Sequence, residues 1–146
     1  MLGVRVSEVK RITLDAGQNF DRFESHYRTE NGPRELTDAI GIRKGPNPSI
    51  STSREQGSLR TWETLPGDAG QLGQAVILDP ADLVAFTEDK SNFLVTAKVP
   101  ADEVVAYYAG FGWSKNGFPK VEDWDRYVAQ YAARLRSPLE ITLSAQ

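Results

Sequence analysis

Four ionisable side chains recur at every second position in one short run: Arg22, Glu24, His26 and Arg28. Side chains alternate along a strand, so an extended run would put all four on one face. In a cleft, Glu24 or His26 would transfer protons and the two arginines would hold a carboxylate in bidentate geometry. On an open surface the same row is a solvated strand face laced with salt bridges. A second group, Tyr107, Tyr108, Trp113 and Lys115, clusters late in the chain. Aromatic rings stack on the apolar faces of sugars and their polar tips add hydrogen bonds, while a lysine can neutralise a uronic acid. Tyr107 and Tyr108 point to opposite faces of a strand, so at most one lines a given cleft. The plainer alternative packs one tyrosine in the core and lays Trp113 over the helix.

Trp62 and Glu63 are adjacent in a strand-like run and therefore face oppositely. Burial favours the tryptophan as the inward residue. Glu63 paired with Glu24 would make an acid–base couple for sugar chemistry, against the alternative that both carboxylates are solvated. Arg43-Lys44-Gly45 is a small basic turn without the glycine pattern or following helix of a phosphate loop. Gly110-x-Gly112 is too short for a dinucleotide fingerprint.

Several chemistries are excluded. The chain has no cysteine, so it has no disulfide, thiol nucleophile or thiolate-bound metal. His26 is its single histidine, which rules out a multi-histidine metal site within one chain. No Asp-x-Asp-x-Asp-Gly calcium loop is present, and neither a metal nor another cofactor is expected. The net charge of −3 offers no general attraction to nucleic acid or anionic membrane. No run approaches the roughly 20 apolar residues of a membrane span, and the first residues do not form a signal peptide.

The elements that would position these residues are mostly strands. The 146 residues read as a single domain, mainly β, an antiparallel β-sandwich or barrel with one α-helix at about 121–136. Turn clusters at Asp15–Asn19, Asn31-Gly32-Pro33, Lys44–Pro48, Pro66–Gly70 and Asp89–Asn92 punctuate it. Strands are expected from Val4 to Leu14 with a bulge near Ser7-Glu8, then over 20–29, 36–42, 59–65, 73–78, 83–87, 93–99 and 104–111. The polar stretch from Ser49 to Gly57 reads as an exposed hairpin or a mobile loop, and Asn31-Gly32 as a hairpin signal. Trp124, Tyr127, Val128, Tyr131 and Leu135 repeat at helical spacing and mark a core-facing stripe. Pro138 follows the helix, and Ser137–Leu143 reads as a closing strand.

Val9–Gly17, Phe23-Glu24-Ser25, Ala39–Ile42, Tyr107–Lys115 and Ala133–Leu139 together resemble the C-terminal half of a bacterial domain-of-unknown-function family, number 4861. The resemblance implies a galactose-mutarotase-like supersandwich and a setting of polysaccharide, especially polyuronide, degradation. It adds weight to Glu24, Trp113 and Lys115 as site residues but assigns none of them a role. Members are much longer, so the resemblance also implies a homodimer, or a separate chain that supplies the N-terminal half.

The functional expectation is a carbohydrate-active or carbohydrate-binding domain for an acidic sugar or oligosaccharide. Catalysis, as a lyase, hydrolase or epimerase, would fall to Glu24 and His26. Arg22, Arg28, Trp62, Tyr107, Tyr108, Trp113 and Lys115 would bind substrate. Its sequence-level requirement is that the ionisable row share a surface with Trp113. Two alternatives stand beside it: a cyclase or isomerase with an aromatic pocket lined by Trp62, Phe93 and Tyr107, or a non-catalytic interaction module.

Overall fold

A computed structural model describes residues 4–32, 34–100 and 103–142. Nine strands precede one helix: β1 Val6–Thr13, β2 Phe20–Thr29, β3 Leu36–Arg43, β4 Ser49–Ser53, β5 Ser58–Thr64, β6 Gln71–Leu78, β7 Leu83–Glu88, β8 Asn92–Val99, β9 Val104–Trp113 and α1 Val121–Arg136. They make a six-stranded sheet in the order β1-β2-β9-β6-β5-β4 and a three-stranded sheet in the order β3-β8-β7. Every pairing is antiparallel. The sheets do not close into a barrel. The result is a sandwich with the helix on its outer side, making three layers.

Alternation along the strands builds a core on each face of the large sheet. Its inner face gives Leu59, Val76, Leu78, Val105 and Tyr107, which pack on Ile40, Ile42, Val95, Ala97 and Val99 of the small sheet. Its outer face gives Phe20, Trp62, Ala75 and Ile77, which pack on Trp124, Val128 and Ala132 of α1. Trp124 is the anchor, fully buried and stacked on Phe20 at 5.8 Å between centroids. Its seat is the directly paired Gly73 and Gly112. A Cβ at either would meet the indole at 2.5 or 2.6 Å. That close approach explains Gly112. At Gly110 a side chain would instead collide with the backbone of Asn19.

The helix spans the expected residues. Asp123 accepts a hydrogen bond from the Lys120 backbone N–H, and Glu122 and Asp123 occupy the first turn. Arg134 and Arg136 occupy the last, as the helix dipole favours. Arg60 of β5 ties the helix down through Asp125, with its Nη2 2.7 Å from Oδ2.

Three expectations change, and one of two alternatives is chosen. β1 has no bulge, and its register with β2 runs unbroken from Val6↔Thr29 to Thr13↔Arg22. The irregular apolar spacing arises because β1 is an edge strand exposed on both faces, where alternation is not enforced. Asn31 and Gly32 do adopt positive φ, 74° and 95°, but β2 and β3 join different sheets rather than a hairpin. Of the two readings of the 49–57 stretch, the hairpin holds: strand β4 turns back to pair antiparallel with β5. Residues 137–142 form no strand, and Leu139 and Ile141 are 93% and 85% exposed. An alternating segment becomes a strand only where a neighbour supplies hydrogen bonds, and among the described residues this one has no such neighbour. Pro33 of the expected turn and Leu143 of the expected closing strand lie outside the described residues.

Candidate functional site

The four-residue ionisable row lies on the outer, helix-side face of the large sheet. Phe20 of the same strand and parity packs on α1, so Arg22, Glu24, His26 and Arg28 continue that face beyond the helix. Arg22 and Glu24 bind each other at 3.1 Å. Tyr108 is directly opposite Arg22 and Ala106 opposite Glu24, so Tyr108 shares this face. It lines a recess of about 390 Å³ between the sheet and the end of α1, together with Ile77, Leu135 and Arg136. Trp62 is also on this side but lies buried under the helix.

Trp113 is on the other face. Its neighbour Gly112 touches Trp124 of the helix, so alternation turns Phe111 and Trp113 to the inner side. They sit beyond the cover of the small sheet, 63% and 39% exposed. The Trp113 indole N–H donates to the Ala69 carbonyl at 2.7 Å. Lys115 donates to the Asp68 carbonyl in the same turn, so Trp113 and Lys115 stand at one end of the sheet. Tyr107 is on the same face but in the core, stacked on Phe23 at 4.9 Å. Its hydroxyl lies 3.2 Å from Lys10 Nζ, which also pairs with Glu8 at 3.2 Å. Burial works to lower the Lys10 pKa, but the bonds to Tyr107 and Glu8 outweigh it and hold the ammonium above its usual value.

The expected constellation is therefore split by the sheet. Arg22, Glu24, His26, Arg28 and Tyr108 gather on the outer face, and Trp113, Lys115 and Tyr107 on the inner. The requirement that the ionisable row share a surface with Trp113 is not met. Glu24 and Glu63 are on opposite faces and cannot act as a pair. Trp62 is likewise separated from Phe93 and Tyr107, so those three do not line a single pocket.

The inner face contains a group that sequence reasoning weighed only as half of that pair. Glu63 is 7% exposed. Its Oε1 accepts from Gln74 Nε2 at 3.3 Å, and its Oε2 has no partner among the described residues. The hydroxyl of Thr61, one step along the same face, is also buried with no partner among the described residues. Directly across β6 from Thr61 is Gln74, and across β9 from Gln74 is Phe111. Leu72 stands between Glu63 and Trp113, which sets those two roughly 10 Å apart, or two strand spacings.

The β3–β4 loop closes over Glu63 at Gly45, where a Cβ would overlap the carboxylate. Arg43, Lys44, Gly45, Pro46, Glu63 and Gln74 line an open recess of about 360 Å³. A further 220 Å³ recess between the sheets shares Arg43 and Gln74 with it. Lys44 is engaged by Glu88 at 2.9 Å. Arg43 is exposed and has no ion-pair partner among the described residues. A buried carboxylate normally has its oxygens satisfied, so the unpartnered oxygen sets Glu63 apart from the other described carboxylates. Sequence favoured Trp62 as the inward residue, but both Trp62 and Glu63 are buried because the large sheet is covered on each face, by the helix over Trp62 and by the β3–β4 loop over Glu63. Among the described residues no group of three or more His, Asp or Glu is placed to hold a metal ion.

A two-sheet antiparallel sandwich with one covering helix and an open polar end defines the class. Within it, this chain belongs to the family described as Domain of unknown function (DUF4861), whose model matches residues 2–141. It is similar to "Uncharacterized protein P7" of Formosa agariphila (strain DSM 15362 / KCTC 12365 / LMG 23005 / KMM 3901 / M-2Alg 35-1), with 32% identity over 146 residues. That match covers 94% of this chain and 35% of the relative, so the chain spans about a third of the relative's length. No solved structure matches.

Proposed function

We propose that this chain is a carbohydrate-binding domain whose ligand, an acidic sugar or oligosaccharide, lies on the inner face of the large sheet where the small sheet stops short. The observation behind this reading is Glu63, a buried carboxylate beside a recess, with one oxygen that has no hydrogen-bond partner among the described residues. Phe111 and Trp113 provide exposed rings on the same face for stacking against sugar faces. Glu63, Gln74 and Thr61 supply acceptors and donors for hydroxyls. Arg43, at the rim, is the cation for a uronate carboxylate. If the domain also catalyses, Glu63 is the group in position to move a proton, in lyase, hydrolase or epimerase chemistry.

The test is titration with neutral and uronic-acid oligosaccharides, followed by calorimetry and tryptophan fluorescence. Trp62 and Trp124 are buried, so a ligand at this face changes the emission of Trp113. Binding is expected for the uronic series, with the fluorescence response abolished in Trp113→Ala. Glu63→Gln should weaken binding roughly ten- to a hundredfold, since a hydrogen bond to a charged group is worth about 1.5–3 kcal/mol. Indifference to every oligosaccharide, or full affinity in both variants, rejects the site. Sugar product formed by the wild type and not by Glu63→Gln would add catalysis to binding.

A further inference from the structure

Among the described residues strand β1 is unpaired along one edge, and between its charged residues it exposes Val6, Val9 and Ile12, with Leu14 just beyond, at 43%, 70%, 50% and 70%. A row of free backbone N–H and C=O groups along an edge is a template for further pairing. We propose that a second copy of this chain pairs here, β1 against β1 in antiparallel register about a two-fold axis at Val9, joining two large sheets into one.

The register follows from the sequence of the strand itself. With Val9 opposite Val9, Glu8 faces Lys10 of the other copy and Lys10 faces its Glu8. Val6 then meets Ile12, and Val4 meets Leu14. Each apolar residue finds an apolar partner, and each Glu8 or Lys10 has an opposite charge both across the interface and along its own strand, where the two already pair at 3.2 Å. Shifting the axis to Glu8 or Lys10 would set like charges directly opposite each other, which is unfavourable. Charged residues on an edge usually deter pairing. Here their symmetric placement about Val9 selects one register.

Backbone direction agrees. Glu30 N–H donates to Arg5 O at 2.9 Å, so the N–H and C=O of Arg5 and of every second residue after it, Val9 included, turn toward β2. Those of Val6, Glu8, Lys10 and Ile12 turn to the free edge. In the proposed register these are the residues that must exchange hydrogen bonds, and Val9 falls in a non-hydrogen-bonded pair. An isologous contact of this kind closes on itself and makes a dimer, not a fibre.

Light scattering on the whole chain is expected to give twice its 16.2 kDa. Lys10→Glu should raise the dissociation constant roughly tenfold or more, and Glu8→Lys combined with Lys10→Glu should restore it. The chain lacks cysteine, so Val9→Cys gives a clean second reading. Paired across the axis, it should oxidise to a disulfide-linked dimer, whereas Ser7→Cys, offset from its own copy, should not. A monomer at every concentration at low salt overturns the proposal. So does a dimer that ignores charge reversal and leaves Val9→Cys uncrosslinked.

Discussion

The Glu63 carboxylate lies beneath the β3–β4 loop, so substitutions around it test the fold and the proposed site separately. Gly45 lies over its carboxylate, so Gly45→Ala must push that group aside. The expected result is loss of the oligosaccharide response, with a stability cost of about 1–3 kcal/mol typical of overpacking, read by fluorescence titration and thermal melting. Thr61→Val should act differently. Its buried hydroxyl has no partner among the described residues, so removing it costs little stability or gains some. Binding should nevertheless weaken if the hydroxyl meets a ligand. A stability loss with unchanged binding would place the hydroxyl in the fold rather than in the site.

Among the elements, the helix and the β7–β8 turn make the sharpest predictions. Trp124 fills the Gly73–Gly112 notch, and Trp124→Ala should cost about 3–5 kcal/mol, measured by urea denaturation. Gly73→Ala should be similarly harmful although it adds one methyl group, because the methyl meets the indole and not solvent. In the turn, the Asp89 carboxylate accepts backbone hydrogen bonds from Ser91 and Asn92, each at 2.7 Å. The Ser91 bond, followed by those from Asn92, holds its pKa below the ordinary aspartate value. A depressed folded-state pKa means stability that is present above the unfolded value and lost as the pH falls toward the folded one. Asp89→Asn should therefore remove part of the acid sensitivity of melting below the ordinary aspartate range, and a comparison of melting curves across that range checks it.

For the whole molecule, the large sheet is shared by two cores, one under the small sheet and one under the helix. Unfolding either core exposes the strands on which the other rests. Far-ultraviolet circular dichroism and tryptophan fluorescence should therefore report coincident urea transitions, and an early fluorescence change alone would show that the helix peels off independently. The sheet also partitions the surface chemically. One face presents the Arg22–Glu24 pair and the other the buried Glu63 carboxylate, so the two faces share no ionisable group.

The chain determined its elements locally. Alternation over Phe20–Thr29, the turn at Asp89–Asn92 and the three-and-four spacing of Trp124, Val128 and Leu135 are properties of neighbouring residues, and the helix and most strands were legible from them. Family membership was legible too, from Tyr107–Lys115 and its companions. Tertiary structure alone decided which strands became neighbours, and therefore which side chains share a surface. Parity along β2 groups Arg22 with Arg28 but says nothing of Trp113, whose face depends on the register of β9 against β2 and β6. The burial of Glu63 depends on the loop at Gly45, well before it in the chain, folding over it. Ser137–Thr142 has the alternation of a strand, yet without a strand beside it among the described residues its backbone lacks the hydrogen bonds that would make it one.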